Sequence, residues 1–137
     1  MQENLQSGSA PEISRETSNY LVFLHLSQLS GLIIPLGNLI VPIVMWLVRK
    51  DENPIDRQGR MVVNFQISMT IYMIIPTIIM FFYLFSAEEI KFAVFFFIVI
   101  AIFILIPVIV LIMAIVNSVR ASKNEKVSYP LTIKFLG

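Results

Sequence analysis

His25 is the one histidine of the chain, and it stands inside a run, residues 20–48, that carries no formal charge. An ionisable side chain in such a run is a functional candidate, because an imidazole can relay a proton or ligate a metal. Either task needs companions, and the run offers no carboxylate and no cysteine. What it offers is Gln28, three residues on and on the same helix face, and Asn38. The next charge-free run, residues 61–85, carries Asn64, Gln66 and Ser68. Asn64 and Ser68 are four apart and share one face; Gln66 and Thr70 share another. Amides and hydroxyls of this kind join membrane helices, at about 0.6 kcal/mol each and up to about 2 kcal/mol. They could also line a polar path. His25, Gln28, Asn38, Asn64, Gln66 and Ser68 are therefore the candidate packing or pathway residues.

The carboxylates promise less. Asp51, Glu52 and Asp56 lie in the first connection, and Glu88 and Glu89 in the second. One charge-free run separates the two groups, so they are expected on opposite sides of the membrane and cannot form an acid–base pair. The Glu88–Glu89 pair starts an EExxxR pattern of intramembrane proteases, but the arginine position is Ala93. There is no HExxH helix, GxSxG elbow or P-loop. No catalytic residue, cofactor or metal site is expected, and the chain is not expected to be an enzyme.

The elements that hold these residues follow from composition. Of 137 residues 57% are hydrophobic and only 14% charged, against about 25% charged in soluble domains. That excludes an ordinary soluble domain, and there is no sign of a nucleic-acid partner. Three runs lack formal charge: 20–48, 61–85 and 92–119, of 29, 25 and 28 residues. A bilayer core of roughly 30 Å needs about 20 apolar residues in a helix. The expected fold is an all-α integral membrane protein with three transmembrane helices. Each run holds a proline near its middle, Pro35, Pro76 or Pro107, which strips a donor from the helix. The first run also holds Gly31, Gly37 and Pro42, so it is expected to be bent or broken between Gly31 and Pro42. The alternative is a re-entrant first segment, two halves of about 21 Å each, giving four membrane passes. A hydrogen bond between His25 and Asn64 would belong to that alternative.

Residues 1–19 read as a polar, disordered tail, residues 20–119 as the membrane domain and residues 120–137 as a cytoplasmic tail. The first run is preceded by three acids and one base, the wrong flank for a cleaved signal, so it should remain as an anchor. With three spans, the first connection and the C-terminal tail share one side and hold eight of the ten Lys and Arg; the other side holds two. Basic flanks stay cytoplasmic, which predicts a multi-pass membrane protein with its N-terminus out and its C-terminus in. The expected partners are the lipid bilayer and either further copies of the chain or a larger membrane complex.

The order of features, HLSQLSGLIIPLGNLIVPIVMWLVRKDENPIDRQGRMVVNFQIS, a hydrophobic hairpin and then YPLTIKF, resembles the Tic-twenty-like small bacterial membrane proteins. The resemblance rests on His25-Leu26-Ser27, the stretch from Pro35 to Pro42, Asp56 to Gly59, Asn64-Phe65-Gln66 and Tyr129-Pro130. It adds Asp56, Gly59, Tyr129 and Pro130 as a candidate loop and tail motif. It implies a non-enzymatic subunit of a membrane complex related to a protein translocon. The alternative function is a small oligomeric transporter or channel.

Overall fold

In the computed structural model, residues 13–85 and 89–137 are described. Four α-helices and one 3-10 segment account for the described secondary structure. They are α1 (Arg15–Leu26), a 3-10 turn (Ser27–Leu32), α2 (Gly37–Val48), α3 (Asn53–Leu84) and α4 (Glu89–Ser122). Among the described residues, only α3 and α4 are long and apolar enough to cross a membrane. With 32 and 34 residues they measure about 48 and 51 Å. Residues 86–88, which join them and include Glu88, lie outside the described residues, as do residues 1–12 of the N-terminal tail.

The first expected span is not one bent helix. It is two antiparallel helices of 12 residues each, about 18 Å long, and the chain turns back between them. Pro35 lacks an N–H and pre-sets the turn Ile34–Gly37, closed by Gly37 N–H donating to the Ile34 carbonyl at 2.8 Å. Leu36 takes the left-handed conformation there, φ 61°. The two arms touch beside the turn. A Cβ on Gly31 would stand 2.8 Å from Asn38 Cβ, and one on Gly37 would stand 2.8 Å from the Ser30 carbonyl oxygen. At the open end the start of α1 meets the end of α2. Tyr20 donates its hydroxyl to the Met45 carbonyl at 2.6 Å, and Arg49 pairs with Glu16 at 3.4 Å. The physical reason is length: neither half could cross a core of roughly 30 Å, whereas folded together they pack their polar stripe inward.

Two boundaries move as a consequence. The N-terminal polar segment is helical from Arg15, capped by Ser14, whose hydroxyl accepts from Thr17 N–H. The first connection is mostly helix as well, because Pro54 stands in the first turn of α3, where its missing N–H costs nothing. Asp56 and Gly59 are thus helical residues. α4 ends at Ser122 on a left-handed Asn124, φ 56°, with Glu125 N–H bonded to the Arg120 carbonyl and Asn124 N–H to that of Ala121, a Schellman closure.

Past that closure the chain packs back against the helices. Residues 125–137 are extended, turn at Pro130–Leu131, and lie along α3 and α4. The core forms where the hairpin, the tail and the first half of α3 meet, with Leu21, Leu24, Ile55, Val62, Phe65, Met69 and Tyr129 buried. The far halves of α3 and α4 keep their apolar surface outward, Phe81, Phe82, Phe97 and Ile104 among it.

Gly59 has a steric reason. A Cβ there would stand 2.3 Å from the Trp46 ring, which packs against α3 at this glycine and donates to Asp56 at 3.0 Å. Gly59→Ala therefore displaces the indole and separates α2 from α3. The expected cost is about 1–3 kcal/mol, read as a lower melting temperature together with a red-shifted emission from this one tryptophan.

Candidate functional site

Six polar side chains form one continuous chain of hydrogen bonds between α1, the 3-10 turn, α2, α3 and the tail. His25, at the end of α1, is fully buried. Its Nε2 meets Gln58 Oε1 of α3 at 2.8 Å, and its Nδ1 meets the Tyr129 hydroxyl of the tail at 2.6 Å. Gln28 donates from Nε2 to the same hydroxyl at 2.6 Å and to the His25 carbonyl at 2.9 Å. Gln66 donates to Gln28 Oε1 at 2.9 Å, and Asn38 of α2 donates to Gln66 Oε1 at 3.1 Å.

The protons of this chain point one way. Burial raises the Tyr129 phenol above its ordinary range, so its proton stays on. The Tyr129 oxygen accepts from Gln28, so its own proton goes to His25 Nδ1. The imidazole is then neutral with its hydrogen on Nε2, which donates to Gln58. A second proton on Nδ1 would face the tyrosine O–H, which has Gln28 behind it. The site therefore fixes a neutral histidine. No buried side-chain nitrogen or oxygen among the described residues lacks a partner, as a satisfied network requires.

A second set of bonds holds the tail. Asn64 accepts at Oδ1 from Phe135 N–H and Leu136 N–H, at 3.1 and 2.8 Å, and donates to the Leu136 carbonyl at 3.0 Å. Ser68 accepts from Ile133 N–H at 2.8 Å, and Tyr72 donates to the Leu131 carbonyl at 3.0 Å. On α4, Asn117 bonds both backbone groups of Ser128, at 2.8 and 3.2 Å. Arg60 reaches the Gly137 carbonyl and holds Asp56 through two bonds. Residues 60, 64, 68 and 72 form a straight stripe on α3, about 18 Å long. Residues 131–137 of an extended chain cover about the same distance. The stripe reads the tail backbone as a neighbouring strand would.

Asn64 and Ser68 thus face the tail, and Gln66 faces the α1–α2 hairpin. His25 does not touch Asn64; it bonds Gln58, three residues before the start of the second charge-free run as read above but within α3. Pro130 precedes Leu131, whose φ of 62° turns the tail back. Gln58, Tyr72 and Asn117 were not among the candidates. Gln58 could have been found from spacing, since Ile55, Gln58, Val62, Phe65 and Met69 make one buried face at helical intervals.

The model of the magnetosome magnetite crystal formation protein family, MamF/MmsF, matches residues 16–136. The chain belongs to that family. The match takes in the described helices except for Arg15 and all of the tail except for Gly137, and it overturns the Tic-twenty-like resemblance and the translocon role drawn from it. The motifs behind that resemblance are explained by architecture. His25, the Pro35 turn, Gly59, Asn64 and Tyr129 close the hairpin and seat the tail, and none of these tasks specifies a cargo. No curated protein and no solved structure matches this member of the MamF/MmsF family.

Two substitutions separate the two sets of bonds. Tyr129→Phe leaves His25 Nδ1 and one Gln28 N–H unpaired in the core, at about 1–3 kcal/mol, and the melting temperature falls. Asn64→Leu strips three bonds from residues 135–136 and leaves the His25 chain in place. Hydrogen exchange should then accelerate at 133–137 and not at 25–29.

Proposed function

We propose that the chain is a non-enzymatic, membrane-embedded protein of the magnetosome that works in magnetite crystal formation. The family match over residues 16–136 carries this reading. The α3–α4 hairpin crosses the membrane, and the α1–α2 hairpin enters and returns on the side where the tail is seated. In that placement the hairpin turn lies level with Met69 and Thr70. That is roughly 15 Å past the start of the charge-free run of α3, near the middle of the core.

Charge supports this placement over three full spans. With both ends of the α1–α2 hairpin on one side, nine of the ten Lys and Arg lie on that side and only Lys91 on the other. The positive-inside rule then puts α1, the start of α3 and the tail in the cytoplasm. The ends of α3 and α4 at Leu84 and Glu89 face the crystal-forming lumen. The N-terminus-out orientation of the three-span reading is replaced by one with Arg15 inside. The hydrogen-bonded interior supports a structural role, because its one imidazole is committed on both nitrogens. The outward apolar faces of α3 and α4 are suited to lipid and to self-association or assembly with other membrane proteins.

The absence of native cysteine allows a direct test. Single cysteines replacing Arg15, Ile90 and Glu125 are exposed to an impermeant thiol reagent in intact cells, in which protein not yet enclosed is reached from outside. Labelling of Ile90→Cys alone is expected; labelling of Arg15→Cys would restore three spans. In a magnetite-forming host, deletion of the chain should alter crystal size or number in electron micrographs, with rescue by the wild type. Unchanged crystals would overturn the role.

A further inference from the structure

A cavity of about 540 Å³ opens between the first turns of α3 and the seated tail, a volume within the usual range of small-molecule sites. Arg57, Arg60 and Lys134 all line it. Arg60 is committed to Asp56 and the Gly137 carbonyl. Arg57 and Lys134 are exposed and form no ion pair among the described residues. Met61 and Leu136 give the same cavity an apolar wall, and Asn64 places an amide in it. Two uncommitted cations from separate segments, one from the helix and one from the tail, therefore face one space. The positive end of the α3 dipole lies at the same end of the cavity.

We propose that this cavity is a binding site for the headgroup of an anionic phospholipid. Both a lipid headgroup and free phosphate would satisfy the cations. The apolar wall favours the lipid, since Met61 begins the charge-free run of α3 and gives the first carbons of an acyl chain a surface to follow. The position of the cavity at headgroup depth rests on the membrane placement proposed above. The site also ties the lipid to the fold. It exists only while the tail is seated, because Lys134 and Leu136 come from the tail.

The test uses the full chain in non-ionic detergent, titrated with short-chain phosphatidylglycerol, with phosphatidylcholine of the same chain length, and with inorganic phosphate. Trp46 emission and the melting temperature are the readouts, since the indole is bonded to Asp56 at the cavity edge. Phosphatidylglycerol should raise the melting temperature and shift the emission, and the other two should do neither at equal concentration. Arg57→Gln and Lys134→Gln should each weaken phosphatidylglycerol binding roughly fivefold, the loss expected for one base near a membrane surface. Both residues are exposed, so the unliganded melting temperature should hold. An equal response to phosphatidylcholine, a full response to phosphate alone, or unchanged titrations of both variants would overturn the proposal. Because the titration is done without a bilayer, a failed cysteine-labelling pattern beside intact phosphatidylglycerol binding would discard the placement and leave the site.

Discussion

The hydroxyl of Tyr129 accepts a hydrogen bond from Gln28 and donates one to His25. Through that one oxygen the tail is joined to α1, and through the imidazole and Gln58 both are joined to α3. The bonds matter because of where they lie. An amide or phenol kept from water without a partner costs about 1–3 kcal/mol, and a backbone group in hydrocarbon costs several kcal/mol. Any arrangement that leaves one link open is penalised at both of its ends. The rest of the interior follows from closing the chain, with Gln66 completing Gln28 and Asn38 completing Gln66.

Two non-spanning segments enter the packed half of the molecule, and each meets the backbone requirement differently. The α1–α2 hairpin does so as helix, leaving only its turn to be satisfied locally. The tail has no regular structure and borrows its partners from side chains. Asn64, Ser68 and Tyr72 of α3, with Asn117 of α4, stand in for the strand that is missing. Both segments reverse at a Pro–Leu pair with the leucine left-handed, Leu36 and Leu131. α3 is the common reference. Gly59 and Gln66 address the hairpin, and the stripe from Arg60 to Tyr72 addresses the tail.

The apolar lengths of α3 and α4 were legible from the absence of charge, since residues 61–85 and 92–119 each exceed the roughly 20 residues that a bilayer core needs. The reversal at Pro35 was not. Gly31, Pro35, Gly37 and Pro42 permit either a bend or a fold-back, and the choice is made by distant contacts such as Tyr20 with Met45 and Glu16 with Arg49. The polar residues His25, Gln28, Asn64, Gln66 and Ser68 stood out because they interrupt apolar runs. Their partners did not, because the main partner is backbone, and a carbonyl or N–H of the tail has no signature in residue types. Gln58 was hidden among the charges of the first connection. The family could not be read from these motifs, because what they encode is how the hairpin and tail close.

The hydrogen bond between His25 and Tyr129 joins residues 104 positions apart. At synthesis rates of about 5–20 residues per second, His25 leaves the ribosome roughly 5–20 s before its partner does. During that interval α2, α3 and α4 are made, while His25 Nδ1 and one Gln28 N–H still lack the tyrosine that pairs them. Until then those two groups are satisfied only where water reaches them. The hydrogen-bonded interior can close only when the tail arrives, so the order of manufacture makes the tail the closing step of assembly and gives quality control a defined interval in which an incomplete molecule is distinguishable from a finished one.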